Sequence, residues 1–175
     1  MNEIEEFLDN EYWVSVHSSS DINTHLPILR RYASKCKHVT EMGVRFGQST
    51  RALLVEPITL RSYDIVLDAT VSGLFEKAQS IGKDVQYILG DTLQIEIDET
   101  DFLFIDTEHT YPQLKAELAR HHHKVKKYIA FHDTGVPYVA EIMPAIIEFL
   151  IEHPEWRFCY HNKHNSGFSV IEKVG

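Results

Sequence analysis

Between Glu41 and Thr50 the sequence reads EMGVRFGQST, an acid, two glycines and two hydroxyls where an apolar run gives way to helix formers. Gly43 and Gly47 permit a tight turn and a close approach of ligand to backbone, and the N–H groups that open a helix attract polar or anionic groups. Glu41, Gly43, Gly47 and Ser49 are therefore candidates for holding a nucleoside cofactor. More acids follow: Asp64 ends LRSYD, Asp91 and Thr92 follow QYILG, Asp106 follows FLFI, and His132 with Asp133 follows YIAF. One acid after an apolar run is commonly a cap or a turn residue. A set of five at equivalent ends marks the rim of a site.

Such a rim needs strands that end together. The apolar runs predict strands over 39–43, 60–65, 85–89, 102–106 and 128–132, separated by helices near 48–56, 71–82, 110–122 and 138–152. This alternation predicts an α/β fold with a mostly parallel sheet, whose ligand site lies at the carboxyl ends of the strands. Segments 156–160 and 167–171, joined by the polar HNKHNS, predict a C-terminal antiparallel hairpin. Residues 1–20 read as a polar N-terminal extension, and 21–175 as a single domain in which Ser20 or Asp21 caps a helix over 22–35. The stretch from Gly90 to Thr100 is too short for a helix of its own.

Composition narrows the partners. Seventeen basic against twenty-six acidic residues give a net charge of −9, which disfavours nucleic acid and anionic membranes and favours a small-molecule partner. No apolar run approaches the ~20 residues of a membrane span, and the acidic start MNEIEEFLDN is unlike a signal peptide, so a cytoplasmic location is expected. Cys36 and Cys159 have no CxxC spacing and are expected to be reduced thiols.

With these residues in view, the chain resembles the class I S-adenosylmethionine-dependent methyltransferases, which have a Rossmann-like fold. More narrowly it is similar to the metal-dependent small-molecule O-methyltransferases, of the catechol type and the macrolide-sugar and cephalosporin-hydroxylase-like relatives. EMGVRFGQS fits their ExGxxxGxS motif through Glu41, Gly43, Gly47 and Ser49. The resemblance implies that Asp64 accepts hydrogen bonds from the ribose, that Asp91 and Thr92 lie near the adenine, and that Asp106 borders the cofactor. It also implies a divalent cation, Mg²⁺ or Mn²⁺, on Asp106 and Asp133 with His132 or Thr134 beside them, and His109 as the catalytic base. A histidine pKa near ~6.5 suits that role, although His109 also reads as a cap or surface residue of the helix that follows. The activity implied is methyl transfer to a hydroxyl of a small polyhydroxylated acceptor, by a protein that forms homo-oligomers.

One residue departs from the pattern. The sugar-modifying relatives carry an acidic pair at the end of the fifth strand, where this chain has His132 and Asp133. Imidazole shifts preference towards Mn²⁺, Fe²⁺ or Zn²⁺, and it also leaves open that metal binding is lost and His132 acts by hydrogen bonding alone. The alternative is therefore a noncatalytic S-adenosylmethionine-binding or partner-binding module. A nicotinamide dehydrogenase is disfavoured because GxGxxG is missing. The tract His121–His123 reads as the end of a helix, since consecutive helical residues do not share a face. Tyr111, Tyr138 and Trp13 are candidates to cover a ligand.

Overall fold

The computed structural model describes residues 2–175. Five strands run parallel: β1 (His38–Met42), β2 (Thr59–Asp64), β3 (Val85–Leu89), β4 (Thr100–Ile105) and β5 (Val125–His132). β6 (Trp156–Asn162) and β7 (Phe168–Lys173) form the antiparallel hairpin, giving the sheet order β3-β2-β1-β4-β5-β7-β6. The Rossmann-like expectation holds in class, topology and hairpin. It holds because the strands alternate cleanly: Phe102 and Phe104 of β4 pack into one core, Leu103 and Ile105 into the other.

Helices cover both faces. α1 (Glu3–His17), α2 (Leu26–Ala33), α3 (Gln48–Leu54) and α4 (Ala69–Ser80) cover one; α5 (Tyr111–His121) and α6 (Val139–Glu152) cover the other. The 90–100 segment contains no helix.

The first twenty residues differ from the polar extension read in the sequence. Asn2 Oδ1 accepts from the N–H of Ile4 and Glu5, and Glu5 Oε2 accepts from the N–H of Asn2, a capping box that starts α1. Leu8, Tyr12 and Ser15 then lie buried on one face, with Leu8 and Tyr12 in the core. The acid-rich first turn that made this segment look solvated instead complements the helix N-terminus. A short 3₁₀ turn, Asn23–His25, whose entry is held by Ser20 Oγ accepting from Asn23 N–H, precedes α2.

Candidate functional site

The β1–α3 turn is built around a buried acid. Gly43 leaves β1 at φ +85°, and a Cβ there would lie 1.9 Å from the Asp106 carbonyl oxygen, so only glycine lets β1 and β4 end this close together. Glu41 is fully buried: Oε1 accepts from Ser49 Oγ at 2.5 Å, Oε2 from Ser62 Oγ at 2.5 Å and Thr50 Oγ1 at 2.9 Å. Burial raises its carboxyl to about 7, against the downward pull of these three hydroxyls. Glu41 thus ties α3 to β1 and β2 from beneath and lines neither ligand cavity. Asp64 anchors the turn from the other side. Its Oδ2 accepts from the N–H of Val44 and of Arg45, both at 2.8 Å, and its Oδ1 from Val66 N–H at 3.1 Å. Of a carboxylate's roughly four accepting positions, one stays free for a ligand.

Two cavities meet at the carboxyl ends of the strands and share Gly43, Arg45, Asp106 and Thr107. One, about 480 Å³, is bordered by Asp64, Ile65, Asp91 and Leu93; the other, about 670 Å³, by Ser20, Asp21, Phe46, Ser49, His109 and Tyr138. Gly47, at φ +72°, N-caps α3 without lining either cavity.

At the junction the acids and imidazoles converge. His109 Nε2 lies 2.7 Å from Asp133 Oδ2 and 3.4 Å from Asp106 Oδ1. His132 Nδ1 lies 2.9 Å from Asp133 Oδ2 and 3.3 Å from Asp106 Oδ1, while its Nε2 donates to the Asp21 carbonyl at 3.0 Å. Asp133 holds its carboxylate there from a left-handed φ of +56°, an unusual conformation for a residue with a side chain. Burial pulls both imidazoles down, but the two carboxylates outweigh it and raise His109 to about 9 and His132 to about 10. Burial likewise pushes the Asp106 and Asp133 carboxyls up, and the imidazoles reverse it, holding both below the ordinary range. Asp106, His109 and Asp133 each offer a ligand atom within 4.8 Å of the others. His109 neither caps α5 nor stands free: Thr110 is the cap residue, and the Tyr138 ring packs 4.5 Å from the imidazole.

Comparison with solved structures gives this arrangement a setting. The S-adenosylhomocysteine-bound methyltransferase PaMTH1 of Podospora anserina superposes with a TM-score of 0.63 at 15% identity, covering 100% of this chain and 89% of that one. The Burkholderia thailandensis 1,6-didemethyltoxoflavin-N1-methyltransferase superposes with a TM-score of 0.66 at 13% identity, covering 98% and 87%. The chain has a methyltransferase fold. Bradyrhizobium japonicum N-methyltransferase NodS, with bound S-adenosylhomocysteine, superposes at 0.64 and 12% identity, covering 99% of this chain and 100% of that one. No protein-family model matches the sequence, and no curated protein matches it.

On this methyltransferase fold the remaining candidates divide. Asp91 borders the smaller cavity, with Oδ1 accepting from Leu93 N–H at 2.8 Å. Thr92 borders the same cavity and donates its hydroxyl to Glu117 Oε1, at 2.5 Å. Ser49 borders the larger cavity, but its hydroxyl serves Glu41. Thr134 is fully buried, its Oγ1 accepting from Ser169 Oγ at 2.9 Å. Tyr138 borders the larger cavity; Tyr111 instead binds Glu148 of α6, and Trp13 donates to Asp9 on α1. His121 ends α5 buried, with Nε2 2.7 Å from the Thr92 carbonyl, and His122 and His123 lie in the 3₁₀ turn that follows.

The sequence did not mark the Ser20–Asp21 wall, Arg45 at the junction, or Glu117 as parts of the site. Glu117 is a fully buried carboxylate on the inner face of α5, and a signal for it existed, an acid flanked by Leu114 and Leu118 on the helix's apolar stripe. The Ser20 wall is fixed by contacts distant in sequence, including Asn165 Nδ2, which donates to the Ser20 carbonyl at 3.1 Å. Among the described residues no helix is long and apolar enough to cross a membrane.

Proposed function

We propose that this protein is an S-adenosylmethionine-dependent methyltransferase that transfers a methyl group to a hydroxyl of a small polyhydroxylated molecule, with a divalent cation at the Asp106–Asp133 cluster. The observation that carries this reading is the meeting of two cavities, one bordered by the glycine turn and Asp64, the other by His109, at Asp106. The nucleoside would occupy the smaller cavity, with ribose at Asp64 and base towards Asp91, and the methionine arm would follow Gly43 to the junction. The acceptor would enter the larger cavity. As its oxygen bonds to the methyl carbon, the carbon–sulfur bond breaks and its electron pair returns to sulfur, leaving a neutral thioether. The hydroxyl proton would pass to His109 Nε2 in its neutral form.

Asp106 and Asp133 would hold the cation, with an imidazole nitrogen of His132 completing the set. The fit rests on Asp133 Oδ2, which is buried and has no partner in hydrogen-bond geometry although two imidazole nitrogens lie within 3 Å. When bound, such a cation lowers the hydroxyl's pKa and fixes its oxygen. The two imidazoles already balance the two carboxylates in charge, and this supports the second reading, a noncatalytic binding module.

Calorimetric titration with S-adenosylhomocysteine, then with Mn²⁺ and Mg²⁺, tests the proposal. Cofactor binding weakened at least about tenfold in Asp64→Ala, the scale of a charge-assisted hydrogen bond, would support it. Absence of cofactor binding would refute it. Cofactor binding with no cation bound, and no methyl transfer across a panel of hydroxylated acceptors, would favour the noncatalytic module.

A further inference from the structure

Behind the smaller cavity a buried polar network fixes the orientation of one amide. Gln113, on α5, borders this cavity together with Asp64, Ile65, Asp91, Thr92 and Leu93. Its Nε2 donates to Glu117 Oε1 at 3.0 Å and to Thr92 Oγ1 at 3.3 Å. Glu117 Oε1 also accepts the Thr92 hydroxyl at 2.5 Å, and its Oε2 accepts the Thr107 hydroxyl at 2.9 Å. Both Glu117 oxygens accept hydroxyl hydrogen bonds, so it faces the NH₂ end of Gln113; burial raises this carboxyl, and the Thr92, Gln113 and Thr107 donors pull it back down. Thr92 spends its proton on Glu117, so its oxygen also receives that same end. The network thereby determines which way the amide points. The carbonyl, Oε1, is the end without a protein partner among the described residues.

We infer that Gln113 Oε1 accepts a hydrogen bond from the 6-amino group of the cofactor's adenine, with Glu117 as the positioning residue behind it, so that the cavity selects a 6-aminopurine over a 6-oxopurine. This rests on the methyltransferase reading for the ligand's identity. The ribose end of the cavity is set by Asp64, and the base then lies beside Ile65 and Leu93, within the wall that Gln113 completes. Adenine presents N–H donors at position 6. Hypoxanthine presents a carbonyl there, and two acceptors face to face repel while each also loses a partner. Asp91, expected to lie near the adenine, already commits Oδ1 to the Leu93 amide. Glu117 acts only through Gln113 and touches no ligand.

The test compares S-adenosylhomocysteine with its deaminated analogue, S-inosylhomocysteine, by calorimetry on the full chain. The wild-type protein is expected to prefer the adenine ligand by about tenfold or more, the range of a site that must leave a polar group unpaired. Gln113→Met should bind S-adenosylhomocysteine about tenfold more weakly and bring the two ligands to within about threefold of each other. Glu117→Gln, whose amide can accept from the NH₂ end of Gln113 or donate to its carbonyl, should erode the same ratio while leaving S-adenosylhomocysteine binding measurable. A loss of packing alone would weaken both ligands equally and leave the ratio unmoved. Equal binding of the two ligands by the wild type would overturn the inference without any variant, and so would an unchanged ratio in a folded Gln113→Met. In both cases the methyltransferase reading would stand, whereas failure of S-adenosylhomocysteine to bind would remove that reading first.

Discussion

Glu41→Gln separates a residue that shapes the cofactor turn from one that touches the cofactor. The Glu41 carboxyl is fully buried among Ser49, Thr50 and Ser62, and its pKa is raised from 4.5 to about 7, burial outweighing the hydroxyls. Below the unfolded value both states hold the proton and no penalty arises. As pH rises from about 4.5 towards 7, the unfolded chain releases its proton while the folded protein keeps it, so stability falls with pH. Above 7 both states are ionised and the loss is complete. At 1.36 kcal/mol per pKa unit, the shift amounts to about 3 kcal/mol across this window.

Glutamine keeps the shape and cannot ionise. Urea unfolding of the wild type and Glu41→Gln at pH 5 and pH 8 should therefore show the difference in stability between them moving by about 2.5 kcal/mol in favour of the variant at the higher pH. Titrations elsewhere, including those of His109 and His132, occur in both proteins and cancel in the difference. S-adenosylhomocysteine affinity should change by less than about twofold, because a group outside both cavities makes no hydrogen bond to the ligand. The same pH slope in both proteins would refute the elevated carboxyl, and a large loss of affinity would return Glu41 to direct cofactor contact.

Gly43→Ala should cost at least about 2 kcal/mol in urea unfolding, since its Cβ would meet the Asp106 backbone and its φ is positive; wild-type stability would mean that β1 and β4 do not close on each other as described. Leu8→Ala should lose roughly 2–5 kcal/mol by the same assay, the cost of a cavity in a packed core, whereas a solvated extension would lose almost nothing. His109→Gln should slow methyl transfer to an accepted hydroxyl by about 10²- to 10⁴-fold with the fold intact by circular dichroism. Burial lowers the His109 pKa, but Asp106 and Asp133 raise it to about 9, so turnover without added cation should climb with pH until about 9. A rate independent of both pH and His109 would mean that the proton goes elsewhere.

The frame of the protein was legible because local chemistry decides it. Alternating apolar residues in FLFI and YIAF, glycines at the turn after the first strand, and acids after the strands all agree with the sheet that forms. α1 was misread for an equally local reason. Acidic residues look solvated, yet here three of them, Glu3, Glu5 and Glu6, occupy the first turn of a helix whose Leu8 and Tyr12 reach the core. What could not be read is which polar atoms face the ligand. Glu41, Ser49 and Thr92 have the composition of a site, but folding pairs Ser49 with Glu41 and Thr92 with Glu117. Glu117 lies 25 residues from Thr92, and nothing local in the sequence pairs the two. A buried polar group must find a partner, and the choice of partner is made by packing between distant segments rather than by motif. Where a carboxylate takes up the hydroxyls and the amide N–H around it, the atom left over faces the cavity. In this protein that atom is the carbonyl of Gln113, and the recognition of the base follows from a residue the ligand never meets.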